Sequence, residues 1–178
     1  MRQITRIIIH HTGGSTASGA IAHLNKVNLS YHDIIDENGK LINFRPYETV
    51  AQHAGGANAN SIGISVVGNF ALAGARPKEK QLETLINLIR RLYERFGVLP
   101  LLHHSDVGAS TCPVWDFKGF LTSALKDELA GLADWLRDFV KQAKDLGISD
   151  GSRPLDKITR VEVMGMCVKT YQALNKKK

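Results

Sequence analysis

Two apolar runs without a polar face stand out along the chain. Arg6-Ile7-Ile8-Ile9-His10-His11-Thr12 sets three β-branched residues in succession, the pattern of a strand covered on both sides in the middle of a sheet. Ile62-Gly63-Ile64-Ser65-Val66-Val67 predicts a second buried strand, and Leu101-Leu102 a brief third run. Tyr31-His32-Asp33-Ile34-Ile35 and Leu41-Ile42-Asn43-Phe44 flank an Asn38-Gly39 pair, which reads as a hairpin.

Helical spacing fills the intervals. Ala20, Leu24 and Val27 predict a short amphipathic helix near residues 18–27, after the flexible Gly13-Gly14-Ser15-Thr16 loop. Pro77 opens a longer one, with Leu82, Leu85, Ile86, Ile89 and Leu92 on one stripe and Gly97 as the stop signal. From Asp116 the spacing of Phe117, Leu121, Leu125, Leu129, Leu132, Leu136 and Val140 is helical, with Gly131 as a candidate break. Gln52 to Asn60 is rich in small residues and reads as an irregular surface loop that a ligand could approach. Beyond Leu146-Gly147, a turn at Asp150-Gly151-Ser152-Arg153-Pro154 and a capping box at Thr159 to Glu162 predict a final helix. The expected organisation is a main domain over residues 1–132 and a small helical unit over 133–178.

Composition narrows the class. The 178 residues suffice for one well-buried α/β core. No stretch reaches the roughly 20 apolar residues of a membrane helix. The polar Met1 to Arg6 segment does not read as a signal peptide, so cytoplasmic synthesis is expected. Cys112 and Cys167 are too few for a disulfide framework, and Cys167 lies beside an apolar stripe where core packing is its default role. Residues 151–178 carry seven Lys and Arg against two Asp and Glu, which is five of the six net positive charges. Such a segment suits an anionic partner: nucleic acid, a membrane surface or an acidic wall polymer.

The candidate chemistry sits where apolar runs end on paired histidines, His10-His11 and His103-His104, with Cys112 eight residues after the second pair. One imidazole from each pair and the thiolate form a ligand set for zinc, which in catalytic sites keeps three protein ligands and an open position. Spacing alone leaves open which member of each pair takes part.

The local wording supplies more. Ile8-Ile9-His10-His11-Thr12, Ser30-Tyr31-His32, Asn60-Ser61-Ile62-Gly63-Ile64, and His104-Ser105-Asp106-Val107 closing on Thr111-Cys112-Pro113 occur in this order. Together they resemble the type-2 N-acetylmuramoyl-L-alanine amidases, a family that includes phage endolysins and peptidoglycan recognition proteins. The resemblance implies a mixed central β-sheet flanked by helices, with one zinc ion held by His10, His104 and Cys112. Tyr31 matches the catalytic tyrosine. His53 matches a position lining the substrate groove, and Asn60 is expected on the substrate side with it. Where family members place lysine or threonine to stabilise the oxyanion, this chain has Ser110, with Thr111 beside it as a possible substitute. His11, His32 and His103 are candidates for holding a ligand's second nitrogen or packing beneath the metal.

The implied function is zinc-dependent hydrolysis of the amide joining N-acetylmuramic acid to L-alanine in bacterial peptidoglycan, by an enzyme of the phage or prophage endolysin type that acts on the wall after release. The alternatives are a non-catalytic peptidoglycan-binding module and an intracellular amidase recycling muropeptides. Residues 146–163 resemble a single surface-layer-homology-type repeat, a wall-anchoring module whose basic charge would suit an anionic wall polymer. No specific nucleic-acid partner is expected.

Overall fold

The computed structural model describes residues 2–126. The expected helical unit, its boundary at residue 132, the basic segment and Cys167 lie outside the described residues. The described elements are β1 (Arg6–His11), α1 (Ala17–Lys26), β2 (Asp33–Ile35), β3 (Leu41–Asn43), β4 (Ser61–Val66), α2 (Glu79–Phe96), β5 (Leu101–His103) and α3 (Phe117–Ala124), with single 3-10 turns at Asn58–Asn60 and His104–Asp106. None of the described helices is long and apolar enough to cross a membrane.

The strands form one sheet in the order β3-β2-β4-β1-β5. β1 pairs in parallel with β4 and β5, β2 pairs in parallel with β4, and β3 closes the edge antiparallel to β2. This is the mixed sheet the resemblance implied. The isoleucine run sits in its interior, with Ile7, Ile8 and Ile9 entirely buried, because a strand with neighbours on both edges and cover on both faces has no place for a polar side chain.

Register fixes what shares a face. Ile8 lies beside Gly63, and His10 beside Ser65, which in turn lies beside Ile34; since side chains alternate along a strand, these five positions look to the same side. Ile8 packs there with Ala54, Ala57, Leu102 and Val107. At the other end of that face α1, capped by the Thr16 hydroxyl accepting from Gly19 N–H, sets Ala17 and Leu24 against Ile34 and Val67. α2 buries Leu85, Leu88, Ile89 and Leu92; of the stripe its spacing predicted, Leu85, Ile89 and Leu92 are buried, whereas Leu82 and Ile86 are only partly so and Leu88 faces the core with the others. Gln81 ties its first turn to the sheet, donating to the carbonyls of Val67 (2.8 Å) and Asp36 (2.9 Å).

The hairpin turn docks on this same helix. Gly39 has φ +86°, and a Cβ there would meet the Lys80 carbonyl oxygen at 2.7 Å, while its own carbonyl accepts from Thr84 Oγ1 at 2.6 Å. Both the left-handed conformation and the backbone contact demand glycine. Gly39→Ala is expected to lower stability by on the order of 2 kcal/mol; a urea unfolding midpoint equal to that of the native sequence would remove the docking from the account.

Candidate metal centre

β1 ends on His11, one residue after His10, whose side chain is almost wholly buried, and β5 ends one residue before His104. Both strands run the same way, so the two histidines emerge at the same, carboxyl, end of the sheet. This is where ligands bind in α/β sheets generally. Cys112 returns to them through a loop that folds back on itself: Ser105 N–H donates to the Cys112 carbonyl at 2.9 Å, and Cys112 N–H to Ser110 Oγ at 3.1 Å. One ligating atom each from His10, His104 and Cys112 lies within 4.8 Å of the other two. Cys112 Sγ faces Nδ1 of His10 at 3.9 Å and accepts from the backbone N–H of His11 at 3.4 Å.

The other member of each pair is occupied elsewhere. Phe70 N–H donates to His11 Nδ1 (3.1 Å), and Lys118 N–H donates to His103 Nε2 (2.9 Å). The choice that spacing left open therefore falls on His10 and His104. Neither His11, His32 nor His103 hydrogen-bonds a ligand ring through the contacts these nitrogens make; His32 Nδ1 instead accepts from Gly63 N–H at 2.9 Å.

Burial keeps the cluster uncharged. His10 is held well below the ordinary imidazole range, first by desolvation and then by the neighbouring His53, His104 and His11. His104 is lowered by burial, and the Cys112 thiol is pushed up by burial against the smaller opposing effect of the His11 N–H. Two neutral imidazoles and one thiol gathered in this way form a donor set of the kind zinc takes, with a three-ligand count that leaves room for a further group. The residues present fit that ion.

Tyr31 stands beside the cluster, its ring 4.9 Å from that of His10. Its phenol is raised to about 12, by burial first and then by Cys112, so it carries its proton at neutral pH. The Ser65 hydroxyl, placed next to His10 by the strand register, is buried without a partner in hydrogen-bonding geometry, yet it is close enough to Tyr31 to oppose that rise. Because the Ser110 hydroxyl oxygen accepts from Cys112 N–H, its proton remains available to donate, whereas Thr111 is exposed.

The two expected substrate contacts are committed to the scaffold. His53 is buried, with Nδ1 3.0 Å from His10 Nε2 and Nε2 3.2 Å from Ser61 Oγ. Burial leads the causes that hold it near 3. Asn60, in the amide orientation that satisfies both its atoms, donates to the Ala57 carbonyl at 3.3 Å and accepts from Arg6 at 3.1 Å. The loop expected at the surface is anchored at several points: His53, Ala54 and Ala57 are buried, and Asn58 Oδ1 accepts from the N–H groups of His53 (3.0 Å) and Ala54 (2.7 Å). Arg2 locks it further, donating to the carbonyls of Ala59 and Asn58 and, on the adjoining segments, of Tyr47, Thr49 and Ser61. Sequence reasoning missed Asn58 and Arg2. A side chain that caps backbone N–H groups is the ordinary use of asparagine in a turn, and that signal was present at Asn58.

A parallel-centred α/β sheet carrying two imidazoles, a thiol and a protonated phenol at one end defines an α/β protein with a metal-type centre. The chain belongs to the N-acetylmuramoyl-L-alanine amidase family, whose pattern matches residues 1–115 and so includes His10, Tyr31, His104 and Cys112. It is 33% identical over 95 residues to the endolysin of Enterobacteria phage T3, a match covering 52% of this chain. That match spans 63% of the relative's length, as does the match to the Klebsiella phage KP32 endolysin at 30% identity. Among solved structures it is similar to the N-acetylmuramoyl-L-alanine amidase LysC from Clostridium intestinale, at 28% identity and a TM-score of 0.63, over 70% of this chain and 86% of that one.

His32 gives the fold a pH dependence. Fully buried, it is lowered to about 4, chiefly by burial, with the Thr49 carbonyl opposing and Arg2 assisting. Unfolded imidazole titrates near about 6.5, so between that pH and about 4 the unfolded chain binds a proton that the folded chain refuses. Stability is therefore expected to fall as pH drops through this window, with His32 contributing up to about 1.4 kcal/mol per pH unit. Urea midpoints measured from pH 7 to pH 4 should decline steeply for the native sequence and less steeply for His32→Asn. Equal slopes would remove His32 from the acid response.

Proposed function

We propose that this chain is a zinc-dependent N-acetylmuramoyl-L-alanine amidase of the endolysin type, hydrolysing the bond between the lactyl carbonyl of N-acetylmuramic acid and the amine of L-alanine in bacterial peptidoglycan. The observation that carries this reading is the convergence of His10, His104 and Cys112 at one end of the sheet beside Tyr31. Water adds across the amide, leaving a lactyl carboxylate and a free alanine amino group. Zinc, when bound, supplies an activated water near neutral pH and polarises a carbonyl. His10, His104 and Cys112 would hold it.

The remaining work falls to groups of the chain itself. Tyr31, held as a neutral phenol by burial and by Cys112, is suited to donating its proton into a hydrogen bond and orienting a reactant; with a dication beside it to stabilise the phenolate, it could also take up a proton from water. Ser110 can donate one hydrogen bond toward an oxyanion but brings no charge. It thus resembles the threonine variant of the family more closely than the lysine one. Donors placed in this way are worth roughly 10²–10³ in rate where they meet developing charge. The same reading includes action on the wall after release from the cytoplasm, and a role for residues 133–178 in holding an anionic wall polymer. The latter is supported only by their charge excess and their resemblance to a wall-anchoring repeat.

The test uses the full chain on purified peptidoglycan, counting new amino groups and bound zinc together. The native sequence should release N-terminal alanine and hold one zinc. Cys112→Ser should lose both, and Tyr31→Phe should keep the metal while losing on the order of 10²-fold in turnover. Full activity with metal retained in Cys112→Ser, or wall digestion that frees no alanine amine, would overturn the reading.

A further inference from the structure

We infer that His53 is a positioning residue for His10, the inner end of a hydrogen-bond chain that fixes which nitrogen His10 offers to a metal ion; the inference rests on the reading of His10 as a ligand. The chain runs through four groups. Ser61 Oγ lies 2.7 Å from the Ala57 carbonyl, which can only accept, so the single hydroxyl proton points there. Ser61 Oγ is then left as an acceptor toward His53 Nε2 at 3.2 Å, which places the His53 proton on Nε2. His53 Nδ1 is consequently bare and accepts from His10 Nε2–H at 3.0 Å. The lone pair of His10 is thereby left on Nδ1, the nitrogen that faces Cys112 Sγ.

The reverse polarity would put a proton on His10 Nδ1 and aim an N–H at the cluster. The shorter of the two Ser61 contacts is the one to Ala57, and that favours the first arrangement. Every link is buried or nearly so, since Ser61 is wholly inaccessible and His10 and His53 almost so; water cannot take over a broken link. The scaffold is shaped for the ring as well. A Cβ on Gly63 would come within 2.5 Å of His53 Cγ and Cδ2, so the glycine in the middle of β4 is what admits the imidazole against the sheet. Asn58 then holds the backbone N–H of His53 itself. Partners that fix a ligand's tautomer in this way typically contribute 10- to 100-fold in metal affinity.

Zinc dissociation constants measured on the full chain by chelator competition test the chain without reference to hydrolysis. His53→Ala should weaken zinc binding 10- to 100-fold, and Ser61→Ala should weaken it less. His53→Asn, which keeps an acceptor close to the position of Nδ1, should recover most of the loss. Long-range proton–nitrogen correlation spectra of the metal-free chain should place the proton of His10 on Nε2. Zinc affinity within twofold of native in His53→Ala, or a proton on His10 Nδ1, would overturn the inference. Should His53→Ala not fold, the Ser61 and Asn variants and the spectrum of the native chain decide alone. The two readings fail separately: normal alanine release with no effect of these variants on zinc defeats only the hydrogen-bond chain, whereas zinc binding that responds as expected in a protein that frees no alanine defeats only the amidase.

Discussion

The site depends on one constraint, that His10 is the last buried residue of a strand which has a neighbour on each edge and whose residues 7–10 have no exposed face. With β4 on one side and β5 on the other, the backbone of β1 cannot slide, and the three isoleucines before His10 are completely buried. An imidazole delivered to such a place inherits a fixed position together with an obligation. A polar ring removed from water must have its nitrogens satisfied by protein or ligand, at a cost of roughly 1–3 kcal/mol for each group that is not. Nε2 meets that obligation at His53. Nδ1 is left facing a thiol sulfur at 3.9 Å, too long and too weak an acceptor contact to count as full compensation.

Strand order then determines who can join His10. Because β5 lies next to β1 and runs the same way, the loop leaving β5 enters the space above the end of β1, and it brings His104 at once and Cys112 after folding back. β2 lies on the far side of β4, and the residues that precede it bring Tyr31 in from the opposite flank. The groups thus reach one point from three separate stretches of chain, each held by a parallel strand or the loop next to it. The family pattern, ending at residue 115, takes in all of these stretches and stops three residues after Cys112.

Much of this could be read from the sequence because it depends on local pattern. Isoleucine runs, the 3.6-residue periodicity of α2 and the Asn-Gly turn carry their meaning within ten or so residues, and each element appears where the pattern put it, although the buried stripe of α2 takes Leu88 in place of Leu82 and Ile86. The paired histidines were legible as a site but not as individual ligands, since the selection is made by partners far away in sequence: Phe70 takes His11 and Lys118 takes His103. His53 was less legible still. Its family motif suggested a residue facing substrate, but its position follows from the register of β4, which puts Gly63 opposite Ile8 and opens a gap one ring thick. The glycine inside an apolar strand was the visible sign that something approaches there. What approaches could not be read without knowing which strand lay alongside. Asn58 and Asn60 differ in the same way. One turn of 3-10 helix sends the first toward the His53 loop and the second toward Arg6, and a composition of small polar residues does not distinguish them.

The fold carries a consistent set of costs at this end of the sheet. His10, His53 and His104 are all lowered by burial, His10 further by His53, His104 and His11 and His53 further by His32, His104 and Arg2, the Cys112 thiol is pushed up by burial, and the Ser65 hydroxyl is buried without a hydrogen-bond partner. None of these favours folding. Each is tolerated because the sheet beneath is rigid and apolar, and the same low-dielectric surroundings that penalise an unpaired lone pair strengthen its attraction to a cation. His10, His104 and Cys112 would hold a dication through two imidazole lone pairs and a thiolate sulfur, so that part of the binding free energy would appear as folding free energy. On this view the apolar run before His10 and the polar cluster that begins with it are one device: the first supplies the stiffness that keeps the second assembled.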